Sequence, residues 1–237
     1  MKRVLALQHV WESPTGALGE ILQEHGIDCD TVNVEEEALP DPGVYDAIIA
    51  FGGSQHVYQE EKHPYFMQEK GLIRSAVEQD IPYLGICLGG QLLADTLGGM
   101  VKQHTMAEIG FFEIPLTEDG RKDPLFAGLP GYQKVFHWHE DAFDIPAGGI
   151  LLATSETTEN QAFRYGRCAY GLQYHIELNP DLLDLWLGHP EFKQSIIDTV
   201  GIDAYSNIER ERHTHYVTYR EHTRIMFENF LRIGRLI

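Results

Sequence analysis

A cysteine between two glycines is the residue of this sequence best suited to covalent chemistry. Cys87 follows an apolar run at residues 81–86, is flanked by Gly85 and Gly89, and precedes a helical pattern that continues to Leu97. This order of strand, tight turn and helix is that of a nucleophile elbow, here with cysteine in place of serine. A cysteine at a helix N-terminus is favoured as the thiolate, and the Leu88 N–H could stabilise an oxyanion. The alternative is a buried structural cysteine.

A cysteine nucleophile needs a base, and the base needs a group that orients it. His175 and Glu177, separated by Ile176, supply both residue types. We expect His175 to end a strand, with the Glu177 carboxylate binding one imidazole nitrogen while the other nitrogen faces Cys87. Because a histidine close to a carboxylate is frequent by chance, the pair indicates catalysis only together with Cys87.

Acyl transfer also needs donors for the oxyanion, and backbone N–H groups serve this purpose in many enzymes. Gly52 and Gly53 follow an apolar run at residues 45–51, which predicts a buried strand. We therefore expect the Gly53 N–H to be the second donor beside that of Leu88. A simple turn at the end of the strand is the alternative.

The elements that must position these residues alternate between strand and helix over residues 1–100. This alternation predicts an α/β fold, namely a doubly wound, mostly parallel sheet flanked by helices. The carboxyl ends of its strands meet at one rim, which would bring Gly53 and Cys87 together. Further on, short apolar segments predict additional antiparallel strands that cover or extend the sheet. A helix capped by Asn179 and a final helix at residues 216–232 complete the prediction.

Length and charge restrict the class of protein. The chain has 237 residues, a formal net charge of −18 and three cysteines. We expect a single domain over residues 1–237 that binds neither nucleic acid nor a membrane surface, because an acidic protein is repelled by both. No apolar run has transmembrane length, and residues 1–3 lead into a strand instead of a signal peptide, so we expect a cytoplasmic protein.

Three segments together resemble the signatures of class I (triad) glutamine amidotransferases. They are Gly-Ile-Cys-Leu-Gly-Gly-Gln at residues 85–91, Gly-Gly at 52–53 and Tyr-Gly-Leu-Gln-Tyr-His-Ile-Glu at 170–177. Their order and spacing match as well, and the resemblance covers nearly the whole chain. Trp-His-Glu-Asp at residues 138–141 resembles a Trp-His-Gly-Asp segment of stand-alone members described as GMP-synthase-like. The resemblance implies a flavodoxin-like fold.

The resemblance also implies a mechanism. Cys87 would attack the side-chain amide of glutamine, His175 would transfer the proton, and Glu177 would hold His175. Ammonia would leave, and water would hydrolyse the γ-glutamyl thioester to glutamate. The residues implied to bind the substrate are Gln91, Gly52, Ser54 and His139. Two positions depart from the family: Ile176 replaces the usual proline of His-Pro-Glu, and Ser54 replaces the proline that usually follows Gly-Gly.

Other side chains are weaker candidates. His137 and His139 fall on one face of a predicted strand end and, with Glu140 and Asp141, could be read as a metal site. We expect no metal and no cofactor, and the sequence has no phosphate-binding Gly-x-x-x-x-Gly-Lys loop. We expect Cys29 and Cys168 to be inert, and His213 and His215 to lie in a turn.

Two alternative functions remain open from the sequence. The first is a γ-glutamyl hydrolase acting on another γ-glutamyl amide or peptide, with Tyr58, His104, Phe136 and Trp138 as possible pocket walls. The second is a non-catalytic regulatory or binding relative. If ammonia is used in a synthesis, a separate synthase or acceptor subunit must use it. The sequence leaves the oligomeric state open.

Overall fold

Strands and helices alternate along the first part of the chain, as expected. The computed structural model describes residues 2–237. The elements are, in order, β1 (Arg3–Gln8), α1 (Gly16–Glu24), β2 (Asp28–Asn33), β3 (Ala47–Ala50), α2 (Tyr65–Glu78), β4 (Tyr83–Ile86), α3 (Leu88–Thr96), β5 (Val101–Pro115), β6 (Tyr132–Phe143), β7 (Ile150–Ala153), β8 (Ala162–Tyr165), β9 (Ala169–Leu172), α4 (Pro180–Gly188), α5 (Pro190–Val200) and α6 (Ile202–Ile233).

Seven strands form the main sheet, in the order β2-β1-β3-β4-β9-β8-β7. The pairs among β2, β1, β3, β4 and β9 are parallel, and β8 pairs antiparallel with both β9 and β7. The predicted mostly parallel sheet with additional antiparallel strands is therefore confirmed. Because β3, β4 and β9 are adjacent and parallel, the segments that follow them leave the sheet at one rim.

The core lies on both faces of this sheet. Alternate residues of β1 and β3 face opposite sides: Val4 and Ile49 pack with α1 and α6, whereas Leu5 and Ile48 pack with α2 and α3. Every residue of β3 is buried. Such continuous burial explains why these strands appear in the sequence as uninterrupted apolar runs instead of alternating ones.

The remaining two strands form a separate ribbon that is longer than predicted. The apolar segments at residues 111–116 and 133–137 predict short strands, but β5 has 15 residues and β6 has 12. The two pair antiparallel, with an irregularity in register between Gln103 and Glu108. A bulge disrupts the two-residue periodicity from which strands are recognised, so part of the ribbon cannot be predicted from the sequence. Trp138 and His139 consequently lie inside β6 and not at its end.

The last helix is also longer than predicted. It begins at Ile202 and not at residue 216, so His213 and His215 lie within α6, and the prediction of a turn there is wrong. Its first half is mostly polar and buries only Tyr205 and Ile208, which explains why the sequence shows no apolar stripe there. The apolar residues Tyr219, Met226 and Phe230, which lie on one face of the predicted helix, do pack into the core. Among residues 2–237, no helix, α6 included, is both long and apolar enough to cross a membrane.

Candidate active site

Cys87 lies in a strained turn between β4 and α3. Its backbone φ is 50° and its ψ is −108°, a conformation that residues other than glycine rarely adopt. Its N–H donates to the Leu172 carbonyl over 2.8 Å. A Cβ added to Gly85 would lie 2.3 Å from the Gly89 carbonyl oxygen, and one added to Gly89 would lie 2.2 Å from that of Ala50. The glycines are therefore required because β3, β4 and α3 approach closely around the cysteine.

Two backbone N–H groups lie beside the cysteine without an acceptor. Within residues 2–237, neither the Leu88 N–H nor the Gly53 N–H donates a hydrogen bond to another protein group. The two residues are neighbours, since a Cβ on Gly53 would lie 2.8 Å from Cδ2 of Leu88. The arrangement matches the pair of donors that an oxyanion hole needs.

His175 is buried and its ring is held by Glu177. The Nδ1 atom of His175 lies 2.7 Å from Oε1 of Glu177, and Oε2 of Glu177 accepts the Ile176 N–H over 2.8 Å. A proline at position 176 has no N–H, so this chain gains a hydrogen bond where it departs from the family pattern. The expectation that His175 ends a strand is wrong. Strand β9 stops at Leu172, and His175 forms an isolated bridge with Phe136.

The turn that carries His175 and Glu177 is fixed by the final helix. Thr223 Oγ1 donates to the Ile176 carbonyl over 2.9 Å, and the Leu178 N–H donates to the Tyr219 hydroxyl over 2.9 Å. Both α6 side chains are fully buried. The helix therefore satisfies backbone groups that would otherwise be unpaired in the interior.

The charge of the imidazole depends on its two neighbours. Burial disfavours the imidazolium, but the Glu177 carboxylate and the nearby Cys87 sulfur raise the pKa of His175 to about 10. Gly52 lies between the two side chains, because its added Cβ would be 2.8 Å from Cε1 of His175 and 3.7 Å from Cβ of Cys87. A larger residue there would displace the histidine.

A cavity of about 370 Å³ opens above Cys87 and His175. Of the residues predicted to bind or react with the substrate, Gly53, Ser54, Gln91 and His139 also line it, whereas Gly52, Leu88 and Glu177 lie behind its wall. Of the four proposed walls only Trp138 lines the cavity. The sequence did not reveal the lining residues of the β1–α1 connection, α4 and α5, which are Val10, Glu12, Ser13, Trp186, Phe192 and Ser195.

The loop after Gly53 is tied to β6 through one carboxylate. His56 Nδ1 lies 2.7 Å from Oδ2 of the buried Asp141, and the Tyr58 hydroxyl donates to its Oδ1 over 3.3 Å. The Asp141 carbonyl accepts from Gln91 Nε2 over 3.5 Å. This connection joins the loop that follows Gly53 to the ribbon and to α3. No sequence motif marks it, because its members are far apart along the chain.

The two histidines of β6 meet a carboxylate other than those expected. The carboxylate of Glu108, and not that of Glu140 or Asp141, lies beside them: its Oε2 is 3.0 Å from Nε2 of His139 and 3.8 Å from Nδ1 of His137. The same oxygen accepts from Thr158 over 2.7 Å and from Gln161 over 3.2 Å. Burial opposes ionisation of Glu108, yet its hydrogen bonds with His139 and Thr158 hold its pKa well below the usual value. The cluster is thus a buried hydrogen-bonded network that meets the cavity at His139.

The other two cysteines differ from Cys87 in their surroundings. Burial raises the pKa of the Cys29 thiol to about 11, and burial also raises that of Cys168. Neither residue lines the cavity. Both therefore carry little thiolate at neutral pH.

Comparison with known proteins gives a consistent result. The family model described as "Glutamine amidotransferase class-I" matches residues 11–185. The glutamine amidotransferase-like protein YfeJ of Salmonella typhimurium is 34% identical over 78% of each chain. The GMP synthase [glutamine-hydrolyzing] of Phenylobacterium zucineum is 31% identical over 69% of this chain, which spans 31% of that protein. The crystal structure of a glutamine amidotransferase from Thermotoga maritima superposes with a TM-score of 0.86 at 31% identity, covering 97% of this chain and 98% of that one.

Proposed function

Because this chain belongs to the class I glutamine amidotransferase family, we propose that it hydrolyses the side-chain amide of glutamine to glutamate and ammonia. Cys87 is the proposed nucleophile, His175 the proton carrier and Glu177 the residue that orients His175. The Gly53 and Leu88 N–H groups are the proposed oxyanion donors. Gln91, Ser54 and His139 face the substrate from the cavity wall, and Gly52 leaves room for the reacting groups.

The proposed reaction has two steps. The Cys87 sulfur forms a bond to the amide carbon, the former carbonyl oxygen takes up negative charge between Gly53 and Leu88, and the proton held by His175 passes to the departing nitrogen. The carbon–nitrogen bond breaks and ammonia leaves. His175 then takes a proton from water, the resulting hydroxide attacks the thioester carbon, and Cys87 is released with glutamate.

The observation that carries this proposal is that a strained cysteine, a carboxylate-held histidine and Gly53 line one cavity, with the Leu88 N–H adjacent to the cysteine. Any one of these occurs by chance in many folds. Their combination matches the roles that acyl transfer requires. The raised pKa of His175 supports an imidazolium beside Cys87, which would stabilise the thiolate form of the nucleophile.

We propose that another protein uses the ammonia. Two relatives, from Thermococcus kodakarensis and Pyrococcus abyssi, are each 38% identical over 43% of this chain, and both are named as one subunit of GMP synthase [glutamine-hydrolyzing]. We infer that a synthase or ammonia-acceptor subunit binds this chain in the same manner. The cysteines are free, which fits a reducing compartment, so we place the reaction in the cytoplasm.

The decisive experiment is glutamate release from glutamine by the purified chain, compared with Cys87→Ala. We expect the variant to lose at least about a thousandfold in kcat/KM, because no other group can form the thioester. Cys29→Ala is the matched control and should retain activity. Glutamate release by Cys87→Ala at the wild-type rate would refute the proposed mechanism.

Iodoacetamide labelling separates an intact nucleophile from a damaged site. At neutral pH we expect Cys87 to react faster than Cys29 and Cys168, whose raised pKa values keep them as thiols. Peptide mapping by mass spectrometry identifies the labelled residue. Equal or slower reaction of Cys87 would favour the non-catalytic alternative.

A further inference from the structure

One carboxylate lies on the buried face of α2, outside the cavity wall. Glu69 shares this face with Phe66 and Ile73. Within residues 2–237 the carboxylate has a single hydrogen-bond partner, the His9 ring, whose Nε2 atom lies 3.0 Å from Oε1 and 3.0 Å from Oε2 of Glu69. Both side chains are fully buried. A buried polar pair is often no more stabilising than apolar side chains of similar volume, so stability alone is a poor explanation for it.

His9 lies at the same rim of the sheet as Gly52 and Gly53. Strands β1 and β3 are parallel neighbours, and Leu7 is paired with Ala50 near their carboxyl ends. Two residues beyond this pair, the two segments reach His9 and Gly52. The register therefore places His9 beside the start of the loop that carries Gly53.

Gly53 packs directly against His9. A Cβ added to Gly53 would lie 2.9 Å from Cβ of His9 and 2.8 Å from Cδ2 of Leu88. Gln55, two residues further along the loop, donates from Nε2 to the His9 carbonyl over 3.5 Å. Gly53 is thus in contact both with His9 and with Leu88, the residue that carries the other proposed oxyanion donor.

The hydrogen bond with Glu69 fixes the orientation of the His9 ring. Because both oxygens of the carboxylate face Nε2, this nitrogen carries a proton and donates it between them. The other ring nitrogen, Nδ1, is buried and has no hydrogen-bond partner in the part of the chain that the structure describes. Helix α2 thus holds the segment after β1 through one directional contact, and that segment in turn contacts Gly53.

We propose that Glu69 and His9 are positioning residues for the oxyanion hole. Glu69 fixes His9, and His9 keeps Gly53 where its N–H can meet the negative charge that develops on the substrate oxygen. Neither residue lines the cavity, so both act through Gly53. Preorganisation matters here because a donor that must move during the reaction loses part of the stabilisation that it provides. The inference rests on the proposed function and adds two residues to it.

Two reactions of Cys87 distinguish the oxyanion hole from the nucleophile. In acylation by p-nitrophenyl acetate, the sulfur bonds to the carbonyl carbon, the carbonyl oxygen becomes negatively charged, and nitrophenolate leaves. In alkylation by iodoacetamide, the sulfur bonds to the methylene carbon and iodide leaves, without a charged oxygen. The ratio of the two rate constants, each corrected for the reaction of Cys87→Ala, therefore reports on the oxyanion donors and requires no turnover of glutamine.

Glu69→Gln tests the contact with His9 at constant side-chain size. The variant removes the charge from the hydrogen bond. We expect the ratio of acylation to alkylation to fall by about tenfold or more, while the alkylation rate stays within about twofold of the wild type. In glutamine hydrolysis, kcat should fall and KM should change little, because the transition state is affected most. Glu78→Gln, at an exposed position of the same helix, is the matched control and should change neither the ratio nor kcat.

A double variant separates positioning from folding. His9→Leu combined with Glu69→Met replaces the pair by apolar side chains, which often preserves stability, but it removes the directional contact. We expect a midpoint of urea unfolding equal to or above that of the wild type, together with the lowered ratio. A wild-type ratio in the double variant or in Glu69→Gln would overturn the inference, as would an equal fall of both rates.

The wild type separates this inference from the proposed function. If its Cys87 is acylated but the protein releases no glutamate from glutamine, the proposed substrate is overturned, whereas a lowered ratio in the variants still supports the inference. A wild type that hydrolyses glutamine, with the ratio unchanged in both variants, would overturn the inference alone. A Cys87 that iodoacetamide alkylates but p-nitrophenyl acetate does not acylate would contradict both.

Discussion

The hydrogen bonds of Glu177 show how one residue can hold a base in place. Its two carboxylate oxygens bind His175 and the Ile176 N–H, so the carboxylate cannot rotate without breaking one of them. The spacing of the pair in the sequence predicted the contact with His175. It could not predict the contact with Ile176, because that bond depends on the backbone conformation of the turn.

Glu177→Gln tests the electrostatic part of this arrangement. The amide retains the shape but removes the charge, so we expect the pKa of His175 to fall from about 10 and kcat to fall by about a hundredfold. NMR titration of the His175 ring gives the pKa directly. Glu221→Gln, an exposed change on α6, should affect neither quantity; an unchanged pKa in Glu177→Gln would contradict the assigned cause.

The same pKa predicts how stability depends on pH. Because the folded protein binds the His175 proton more tightly than an unfolded chain does, this contribution to stability is complete below the ordinary pKa of 6.5 and is lost as the pH rises through about 10. Wild type should therefore lose stability relative to Glu177→Gln over that interval. Urea denaturation at several pH values measures the difference in free energy of unfolding between the two proteins. A difference that stays constant with pH would contradict the prediction.

At the scale of elements, the close approach of backbones around Gly85 and Gly89 positions Cys87. The elbow was predicted correctly as strand, turn and helix, because Gly85, Cys87 and Gly89 mark it locally. The ribbon of β5 and β6 was predicted only in part, since its register and bulge depend on a partner strand that is distant in sequence. The contact between Glu108 and the two histidines of β6 was missed for the same reason.

Gly89→Ala tests the close approach between α3 and β3. A methyl group would lie 2.2 Å from the Ala50 carbonyl oxygen, so α3 must move away from the strand, and we expect a loss of about 2 kcal/mol in the free energy of unfolding. Cys87 should lose reactivity as well. Gly71→Ala in α2 is the control: its added Cβ meets nothing within 4 Å, and the change should stabilise by about 0.5–1 kcal/mol.

Asp141→Asn tests the connection between the ribbon and the loop that carries Gly53. The variant weakens the contact with His56 while retaining the side-chain shape. We expect kcat to fall by about tenfold with a smaller change in KM, because a misplaced oxyanion donor affects the transition state most. Steady-state kinetics separates the two constants, and the exposed Glu156→Gln serves as a control. A rise in KM alone would assign Asp141 to substrate binding instead.

For the whole molecule, one helix joins parts of the chain that are far apart in sequence. The second half of α6 packs Met226, Phe227 and Phe230 into the core, and its Arg220 and Arg224 bind Glu20 and Glu24 of α1. The doubly wound fold was predicted correctly because parallel strands and amphipathic helices have clear local patterns. The mostly polar first half of α6 has no such pattern, and its extent depends on packing that the sequence alone does not display.

Phe227→Ala measures how much this packing contributes. The side chain is fully buried, so its removal should lower the free energy of unfolding by about 3–5 kcal/mol. Val217→Ala, at a residue of α6 that is 64% exposed, should change it by less than about 0.5 kcal/mol. Urea denaturation monitored by circular dichroism gives both values. Equal effects would mean that α6 is held mainly by its surface ion pairs.

The support that Thr223 and Tyr219 give to the turn of residues 176–178 also has a consequence for protein synthesis. A ribosome translates the cysteine, the histidine and the glutamate well before it reaches the helix that fixes their geometry. A nascent chain that ends between these points carries Cys87, His175 and Glu177 but lacks the groups that pair with the Ile176 carbonyl and the Leu178 N–H. The turn that holds His175 and Glu177 therefore gains these two hydrogen bonds only after the C-terminal helix has been made and has docked.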